Sequence, residues 1–384
     1  MTISQAIKTC FEYFFCAEKL APIESVFSQY EKSLPSGFIY HYPTSVIWKV
    51  TSACNLRCKH CFYYANQKFF DTQNDLTKEE ALNFAKYLAE ELNIMYVILT
   101  GGEIFLSPYL FDLIKYFKSK NICITLLTNG TLINENIADK LTNLLNKKYD
   151  NIQISLEGAT EENHDAIRGA GTFKKTLHSI ETLINKGFPP SIATTITSKN
   201  VKSISEFTEF CANYKIKELR FGRHKVFSDS QKYLTPNLDD LLINFAKLIN
   251  NKTSFTGKIF NAYDFLKYEY GKQLLDNLNA PQNYTHNKLC HNHNKFFISS
   301  NGNIYLCSSA ETEGLSLGNI RENSFKEIWQ NRFSHPLFKE RINFICAKCK
   351  YKYWCNSGCP VVVYKNNGNI TSATLECEYQ NEIE

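Results

Sequence analysis

Three cysteines stand close together in the stretch TSACNLRCKHCFYY, where Cys54, Cys58 and Cys61 are spaced C-x3-C-x2-C. A structural zinc site has four ligands, and a cubane iron–sulfur cluster has four irons to hold. Three thiolates on such a cubane leave one iron without a protein ligand, so a small molecule can bind and react there. The spacing therefore favours a reactive iron–sulfur site, with structural zinc as the alternative.

The cysteine content is unusual in an otherwise ordinary composition. The chain of 384 residues has 14 cysteines, 43% apolar residues, 21% charged residues and a formal charge of +5. The charge is mild and spread along the chain, so we expect no nucleic-acid partner. No basic segment precedes the apolar N-terminal patch, and no run of about 18 apolar residues occurs, so we expect neither a signal peptide nor a membrane span. The composition predicts a cytoplasmic protein whose cysteines bind metal.

Strand-like and helix-like segments alternate along the part of the chain that would position this site. A helix is predicted over 77–93, with Thr77 as its cap and Glu80 at the capping-box position. Repeated strand–helix units predict an α/β fold with a parallel sheet, and six strands are fewer than the eight of a closed barrel. We therefore expect an open, partial (β/α)6 TIM-like barrel with its site at the C-terminal strand ends. The predicted strands are SVIWKV (45–50), YVILTGGE (96–103), ICITLLTNG (122–130), NIQISLEG (151–158), SIATTIT (191–197) and ELRFGR (218–223).

The composition divides the chain into four segments. From Cys290 onward, short segments, glycine turns and frequent cysteines replace the strand–helix pattern. Such a sequence predicts a separate small domain that is stabilised by metal rather than by a large core. The expected segments are an N-terminal helical segment (1–44), the barrel (45–230), a helical bridge (231–285) and the cysteine-rich domain (286–384).

The cysteine triple and the strand ends resemble those of the radical S-adenosylmethionine (SAM) superfamily over most of the chain. In that family three cysteines hold a [4Fe–4S] cluster, and the amino and carboxylate groups of SAM chelate the fourth iron. One electron then cleaves SAM to a 5′-deoxyadenosyl radical, which abstracts a substrate hydrogen. The resemblance implies an oxidoreductase that binds this cluster and SAM and receives electrons from a donor such as flavodoxin or ferredoxin.

Residues at the ends of the second and third predicted strands are candidates for SAM binding. In TGGE (100–103), Gly101 and Gly102 would let the backbone approach the methionine moiety, and Glu103 would bind its ammonium group. An ordinary strand-end turn is the alternative for the two glycines. In TNGTLI (128–133), Asn129 would donate a hydrogen bond to the ribose or the carboxylate.

The fourth predicted strand ends in ISLEGATEENHDAIRG (154–169). By resemblance, Ser155 and Glu157 would face the ribose and the methionine, and Arg168 would bind the SAM carboxylate. This chain has Glu157 where the family usually has Asp, and the longer side chain changes that contact. His164 and Asp165 are interpreted as structural residues of the following helix and loop.

Seven further cysteines form a second pattern that resembles the SPASM extension. That extension binds two auxiliary iron–sulfur clusters in radical SAM enzymes that mostly modify peptides and proteins. The resemblance implies one cluster held by Cys346, Cys349, Cys355 and Cys377. It implies a second cluster held by Cys290, Cys307 and Cys359. A zinc ribbon is the alternative for this region.

The second auxiliary set lacks a fourth cysteine. His286, His291 and His293 lie near Cys290 and are alternative ligands, because imidazole can bind iron. We favour an open iron that binds the substrate directly.

Three substrate classes are compatible with this family. In sulfatase maturases an Asp directly follows the cysteine that matches Cys307, and Ser308 at this position counts against that class. Small-molecule chemistry, such as modification of tetrapyrrole side chains, is the second class. The third and favoured class is a ribosomally made precursor peptide. Arg223 after the sixth strand is a candidate for binding a substrate carboxylate or for a structural salt bridge.

The short N-terminal segment refines the peptide interpretation. Only about 45 residues precede the first strand, so a leader peptide would be bound by a separate protein or by the enzyme's own surface. The compact chain resembles maturases that form cyclophanes, in which an aromatic ring carbon is joined to a neighbouring side-chain β-carbon. We therefore favour an intramolecular carbon–carbon cross-link, with a thioether as an alternative product. A zinc-binding structural protein is the non-enzyme alternative.

Overall fold

The computed structural model describes residues 5, 43–63, 71–216, 218–224, 229–250, 254–261, 295–335 and 360–369. The predicted N-terminal helical segment lies almost wholly outside these residues. Of the seven C-terminal cysteines, Cys307 is described. The predictions for the other six, and for His286, His291 and His293, lie outside the described residues.

Ten strands form one sheet in the described part of the chain. Their bounds are β1 Ser45–Lys49, β2 Tyr96–Thr100, β3 Cys123–Thr128, β4 Asn151–Ser155, β5 Ser191–Ile196, β6 Glu218–Arg223, β7 Lys258–Asn261, β8 Lys295–Ile298, β9 Asn303–Tyr305 and β10 Gly318–Asn319. Their order in the sheet is β10-β9-β8-β1-β2-β3-β4-β5-β6-β7. All neighbours from β8 to β7 are parallel, whereas β8, β9 and β10 form an antiparallel end.

Helices connect and cover the strands. Thr77 caps the first helix: its hydroxyl accepts from the Glu80 N–H at 3.2 Å, and the Glu80 carboxylate accepts from the Thr77 N–H at 2.8 Å. The predicted capping box is therefore confirmed. The helices are α1 Lys78–Glu90, α2 Leu110–Ser119, α3 Glu135–Leu144, α4 Glu161–Arg168, α5 Thr172–Asn185, α6 Ile204–Asn213, α7 Leu238–Asn250, α8 Ser308–Thr312, α9 Phe325–Asn331 and α10 Pro360–Asn367. None of these described helices is long and apolar enough to cross a membrane.

All six predicted strands and the mostly parallel α/β architecture are confirmed, but the sheet is wider than expected. The segment 231–285 was predicted as a helical bridge; it contains the expected helix α7 and also the parallel strand β7. A strand of four residues gives too short an alternation to be separated from a loop or a helix end by sequence. On the other side, β8 pairs with β1, from Ser45 opposite Lys295 to Trp48 opposite Ile298.

The C-terminal residues 295–335 share the main hydrophobic core. Phe296 and Phe325 lie with ring centroids 4.6 Å apart, and Phe325 contacts Phe84 of α1 at 6.1 Å. Phe84 in turn meets Trp48 of β1 edge-on at 5.7 Å. Burial of such aromatic surface is a main source of folding stability. This part of the chain is thus joined to the barrel by both sheet and core, while the predicted domain boundaries stay a prediction.

Candidate functional site

The loop that follows β1, residues 50–63, is called the cysteine loop below. It contains Cys54, Cys58 and Cys61 as free thiols at the C-terminal end of the central strand. Cys58 is buried with 7% of its surface exposed, and the other two are half-buried. The Cys61 N–H donates to the Cys58 carbonyl at 3.0 Å. The structure therefore places the three thiols where a parallel sheet of this kind carries its functional groups.

Backbone hydrogen bonds from distant elements hold the cysteine loop in place. The Lys59 N–H donates to the carbonyl of Ile167 in α4 at 2.9 Å. The side-chain amide of Gln231 donates to the carbonyls of Lys59 and Cys61, at 3.0 and 2.9 Å. These bonds add to those within the loop and help to fix its position.

The thiol chemistry of the loop fits an iron–sulfur cluster. Burial raises the pKa of Cys58 to about 11, although the nearby Arg168 opposes this. Burial also raises the pKa of Cys54. Such thiols become good ligands when a metal centre stabilises their thiolates. In the described residues no three His, Cys, Asp or Glu side chains are arranged to bind a single metal ion, and three free thiols suit a four-iron cluster with one open iron.

The end of β2 lies directly against the cysteine loop. The Gly102 N–H donates to the Thr51 carbonyl at 2.9 Å, and the Glu103 N–H donates to the Ala53 carbonyl at 2.7 Å. A Cβ atom on Gly102 would lie 2.3 Å from the Ala53 oxygen, and one on Gly101 would lie 3.1 Å from the Thr51 oxygen. The two glycines therefore permit the close approach of the chain's own loop. Their predicted contact with a methionine moiety stays a prediction.

Glu103 is a buried carboxylate that joins β2 to β3, with 1% of its surface exposed. It accepts hydrogen bonds from the Asn129 N–H at 2.8 Å, the Thr128 hydroxyl at 2.7 Å and the Phe105 N–H at 3.3 Å. Burial raises the pKa of Glu103, and these three donors oppose the shift. The carboxylate lies at the predicted strand end, and its predicted bond to an ammonium group is untested.

Asn129 connects the end of β3 with the cysteine loop through Asn55. Its side-chain amide donates to the Asn55 side-chain oxygen at 2.9 Å, while its own oxygen accepts from the Thr131 N–H at 2.8 Å. Asn55 also donates to the Thr131 hydroxyl at 2.8 Å. Asn55 was not predicted as a site residue, and its position beside Cys54 was the one available signal.

Glu157 lies just after β4 and is completely buried. Its Oε1 atom accepts from Arg168 Nε at 2.8 Å and Nη2 at 2.6 Å, and lies 3.2 Å from His60 Nε2. Its Oε2 atom accepts from the Thr195 N–H at 2.8 Å. Burial alone would raise the pKa of Glu157, but Arg168 and His60 outweigh it and lower the pKa to about 2. Glu157 is therefore ionised and fully engaged by protein donors.

Arg168, the last residue of α4, connects this carboxylate to the Cys58 thiol. Its Nη1 atom lies 3.9 Å from Cys58 Sγ, and its side chain is 10% exposed. Ser155, at the end of β4, is half-buried. The structure thus brings Glu157 and Arg168 to the cysteines, and the predicted contacts of Ser155, Glu157 and Arg168 with SAM stay predictions.

His164 and Asp165 have the structural roles that the sequence predicted. His164 Nδ1 accepts a hydrogen bond from the Glu157 N–H at 3.1 Å. Burial lowers the pKa of His164 to about 4. Asp165 accepts from the N–H groups of Gly171 and Phe173, at 2.6 and 2.8 Å. The helix start itself is provided by Thr160, whose hydroxyl accepts from the Asn163 N–H.

Two remaining predicted site residues, Cys307 and Arg223, lie in the described part of the chain, and the others lie outside it. Cys307 directly precedes α8, and Ser308 is the first residue of that helix. Arg223 ends β6, and its side chain is outside the described part.

A buried polar network beside the cysteine loop was not predicted. Lys49, the last residue of β1, lies with Nζ 3.1 Å from Oε1 of Glu311 in α8 and 4.0 Å from the ring centre of Tyr63. The Tyr63 hydroxyl donates to the other Glu311 oxygen. The side chains of Lys49 and Glu311 are 2% and 6% exposed. The available sequence signal was a lysine inside the apolar run SVIWKV.

Comparisons with known proteins agree with this geometry. Residues 48–229 match the radical SAM superfamily, and residues 290–350 match the SPASM family, an iron–sulfur cluster-binding domain. The AdoMet-dependent heme synthase of Methanosarcina barkeri is 28% identical over 353 residues, which cover 88% of this chain and 97% of that protein. The mycofactocin maturase MftC of Mycobacterium tuberculosis is 27% identical over 369 residues, which cover 93% of this chain and 87% of that protein.

Solved structures of Streptococcus suis SuiB share the fold. The SuiB structure with bound S-adenosylmethionine has a TM-score of 0.70 at 18% identity and covers 97% of this chain and 86% of SuiB. The structure with the precursor peptide SuiA has a TM-score of 0.69 at 19% identity, with coverages of 94% and 82%. Together these matches extend over both the barrel and the C-terminal region.

Proposed function

Because this chain is a radical SAM enzyme with a C-terminal SPASM domain, we propose that its substrate is a ribosomally made precursor peptide. The product is an intramolecular cross-link, a carbon–carbon bond between an aromatic ring carbon and a neighbouring side-chain β-carbon; a thioether is the alternative bond. Formation of this bond breaks two C–H bonds of the peptide. The 5′-deoxyadenosyl radical would take one hydrogen atom, and the second would leave as a proton and an electron, which one of the auxiliary iron–sulfur clusters would accept. The observation that carries the proposal is the likeness over most of the chain to a named maturase, MftC.

The described residues provide the binding chemistry that such a reaction requires. Cys54, Cys58 and Cys61 would hold the cluster, and the bound cluster with SAM would supply the electron and the radical that abstracts a substrate hydrogen. Arg168 places a cation beside Cys58, and Glu157 holds that cation in position. A fixed guanidinium beside Cys58 would be suited to bind the SAM carboxylate.

The region after Cys307 supports a peptide cross-link over formylglycine formation. Ser308 follows this cysteine and begins α8, so no carboxylate occupies the position expected for a sulfatase-type base. SuiB, which shares this fold, has been solved with a precursor peptide. We propose two auxiliary clusters in the C-terminal region, with one open iron at the Cys290, Cys307 and Cys359 set.

Partners follow from the proposed reaction. An electron donor such as flavodoxin or ferredoxin would reduce the cluster. A separate leader-binding protein, or this enzyme's own surface, would bind the peptide's leader. A reducing compartment such as the cytoplasm would preserve the many free thiols.

Tetrapyrrole chemistry is the second candidate function. It is favoured by the AdoMet-dependent heme synthase of M. barkeri, which is similar to this chain over nearly its whole length. The two candidates require different substrates for the same radical chemistry. The two candidate functions can therefore be distinguished by offering each substrate to the same enzyme preparation.

The test uses the anaerobically reconstituted enzyme with SAM and a reductant. One arm contains short peptides encoded beside the enzyme's gene, and the other contains iron coproporphyrin III. We expect a peptide lighter by two hydrogen atoms, with fragment ions that place the loss on an aromatic residue and its neighbour. A tetrapyrrole altered under the same conditions, beside unmodified peptides, would replace our proposal by the second candidate. SAM cleavage with both probes unchanged would contradict the two assignments.

A further inference from the structure

Three buried polar side chains connect the cysteine loop to the C-terminal region. Lys49 and Glu311 form an ion pair of 3.1 Å, and the Tyr63 hydroxyl donates to the second oxygen of Glu311. The Lys49 ammonium also lies over the Tyr63 ring, 4.0 Å from its centre. Both oxygens of Glu311 therefore have a partner, one of them cationic.

Burying these charged side chains costs free energy at a position where apolar side chains could pack instead. Two charges removed from water lose their hydration, and their attraction offsets this loss only when the geometry and hydrogen bonds are good. The neighbours here are apolar: Phe297, Tyr305 and Ala310 form a buried cluster around the start of α8. Stability alone does not account for an ion pair in this environment.

The positions of the three residues in the chain indicate what the network joins. Lys49 is the last residue of β1, where the cysteine loop begins, and Tyr63 lies two residues after Cys61. Glu311 lies one turn after Cys307, in the helix that starts at Ser308. The network therefore contacts both ends of the cysteine loop and the segment that follows an auxiliary-cluster cysteine.

Tyr63 joins the network to the cysteines along the chain. Its hydroxyl donates to Glu311 and its ring centre lies 4.0 Å from the Lys49 ammonium, while one residue, Phe62, separates it from Cys61. Charges interact more strongly in a buried region than in bulk water. The reduction potential of an iron–sulfur cluster depends on nearby charge and hydrogen bonding.

We propose that Lys49 and Glu311 are positioning residues for the cluster held by Cys54, Cys58 and Cys61. They fix the cysteine loop against α8 through Tyr63. Because their opposite charges cancel, the pair adds no net charge near the cluster and leaves its reduction potential unshifted. Either charge without its partner would shift that potential. This inference rests on cluster binding by the cysteine loop and is independent of the substrate.

The test compares Lys49→Met, Glu311→Gln and the double variant Lys49→Met/Glu311→Gln. The midpoint potential of the SAM-binding cluster is measured by EPR-monitored titration of the full chain, without peptide. All variants keep Cys307 and the six other cysteines of the SPASM pattern. The titration signal of the SAM-binding cluster is identified by its response to added SAM. Iron per chain and the unfolding midpoint are recorded for each protein.

Reduction adds a negative charge, which decides the direction of each shift. Lys49→Met leaves the Glu311 carboxylate without its cation, so we expect a lower midpoint potential. Glu311→Gln leaves the Lys49 ammonium without its anion, so we expect a higher one. The double variant carries neither charge and is expected near the wild-type value. A purely structural pair would lower stability in both single variants without opposite shifts.

A second buried ion pair provides the matched control. Lys118 of α2 lies 2.7 Å from the buried carboxylate of Asp150, which precedes β4 and so lies at the opposite ends of the strands. Lys118→Met is expected to lower the unfolding midpoint and leave the cluster potential unchanged. The proposal would be overturned if the Lys49 and Glu311 single variants had the same midpoint potential, or if both potentials shifted in the same direction. A wild-type protein without a reducible cluster would also overturn it.

Discussion

The Arg168 guanidinium joins the Glu157 carboxylate to the Cys58 thiol, with Nη2 2.6 Å from Glu157 Oε1 and Nη1 3.9 Å from Cys58 Sγ. The pair comes from the end of β4 and the end of α4, while the thiol belongs to the cysteine loop. A single cation thereby connects three elements that local sequence does not place together. Four predictions follow from this and from the neighbouring contacts.

Removing the charge of Glu157 should destabilise the protein. Glu157→Gln leaves the buried Arg168 cation without its anion, and breaking such a pair costs about 3–5 kcal/mol of unfolding free energy. Urea unfolding of the metal-free protein at neutral pH would measure this. Glu161→Gln at the start of α4 is the control, because its ion pair with Lys174 is largely exposed and is expected to contribute less than about 1 kcal/mol. Equal losses in the two variants would contradict a special role for Glu157.

Acid should destabilise the protein through His164. The folded pKa of this buried imidazole is about 4, below its usual value of 6.5, so the unfolded chain binds the extra proton between these pH values. Its contribution to stability is therefore fully present above about pH 6.5 and is lost as the pH falls toward 4, by up to about 3 kcal/mol.

The measurement is the unfolding free energy of the metal-free protein across that range. His164→Gln should flatten the curve between pH 6.5 and 4, while His178→Gln, at an exposed position on α5, should leave the slope unchanged. An unchanged slope in the His164 variant would show that another group titrates there.

A methyl group at Gly102 should displace the cysteine loop. Its Cβ would lie 2.3 Å from the Ala53 oxygen, a backbone atom that cannot move alone. We expect Gly102→Ala to cost about 1–3 kcal/mol of unfolding free energy. It should also reduce iron incorporation, because this loop contains the three cysteines that we propose as cluster ligands. Gly222→Ala in β6 is the control, since its Cβ would meet one atom at 3.9 Å. Iron and sulfide per chain after anaerobic reconstitution would separate the two.

Metal content should identify the centres directly. We expect about twelve irons per chain, or about eleven if one auxiliary cluster is incomplete, with matching acid-labile sulfide. Replacing Cys54, Cys58 and Cys61 by Ala should remove about four of these irons and abolish SAM cleavage. Cys123→Ala, at the start of β3, should leave the count unchanged. Zinc in place of iron in the wild-type protein would refute the radical chemistry itself.

Local sequence patterns predicted those parts of the fold that depend on neighbouring residues. The strands β1 to β6, the capping box at Thr77 and the helix α7 each leave a short, complete signature. The four-residue strand β7 has no such signature, because so short a run is ambiguous in sequence. Its pairing with β6 depends on the neighbouring strands of the folded sheet.

For the candidate site, the sequence predicted where residues lie in the fold, while their contacts with a cluster and SAM stay predictions. Motif spacing located the cysteines, and Glu103, Asn129, Glu157 and Arg168 all lie at the strand and helix ends where the sequence placed them. Their partners could not be predicted in the same way. Lys49 and Glu311 are 262 positions apart, and tertiary contacts such as the pairing of β8 with β1 bring them together.

That pairing has a consequence for how the chain is made. Strand β1 is synthesised about 250 residues before its neighbour β8. Synthesis at about 5–20 residues per second leaves this edge of β1 without its partner for roughly ten seconds or more. The part of the sheet from which the cysteine loop begins is therefore completed only after the strands β2 to β7 have been made.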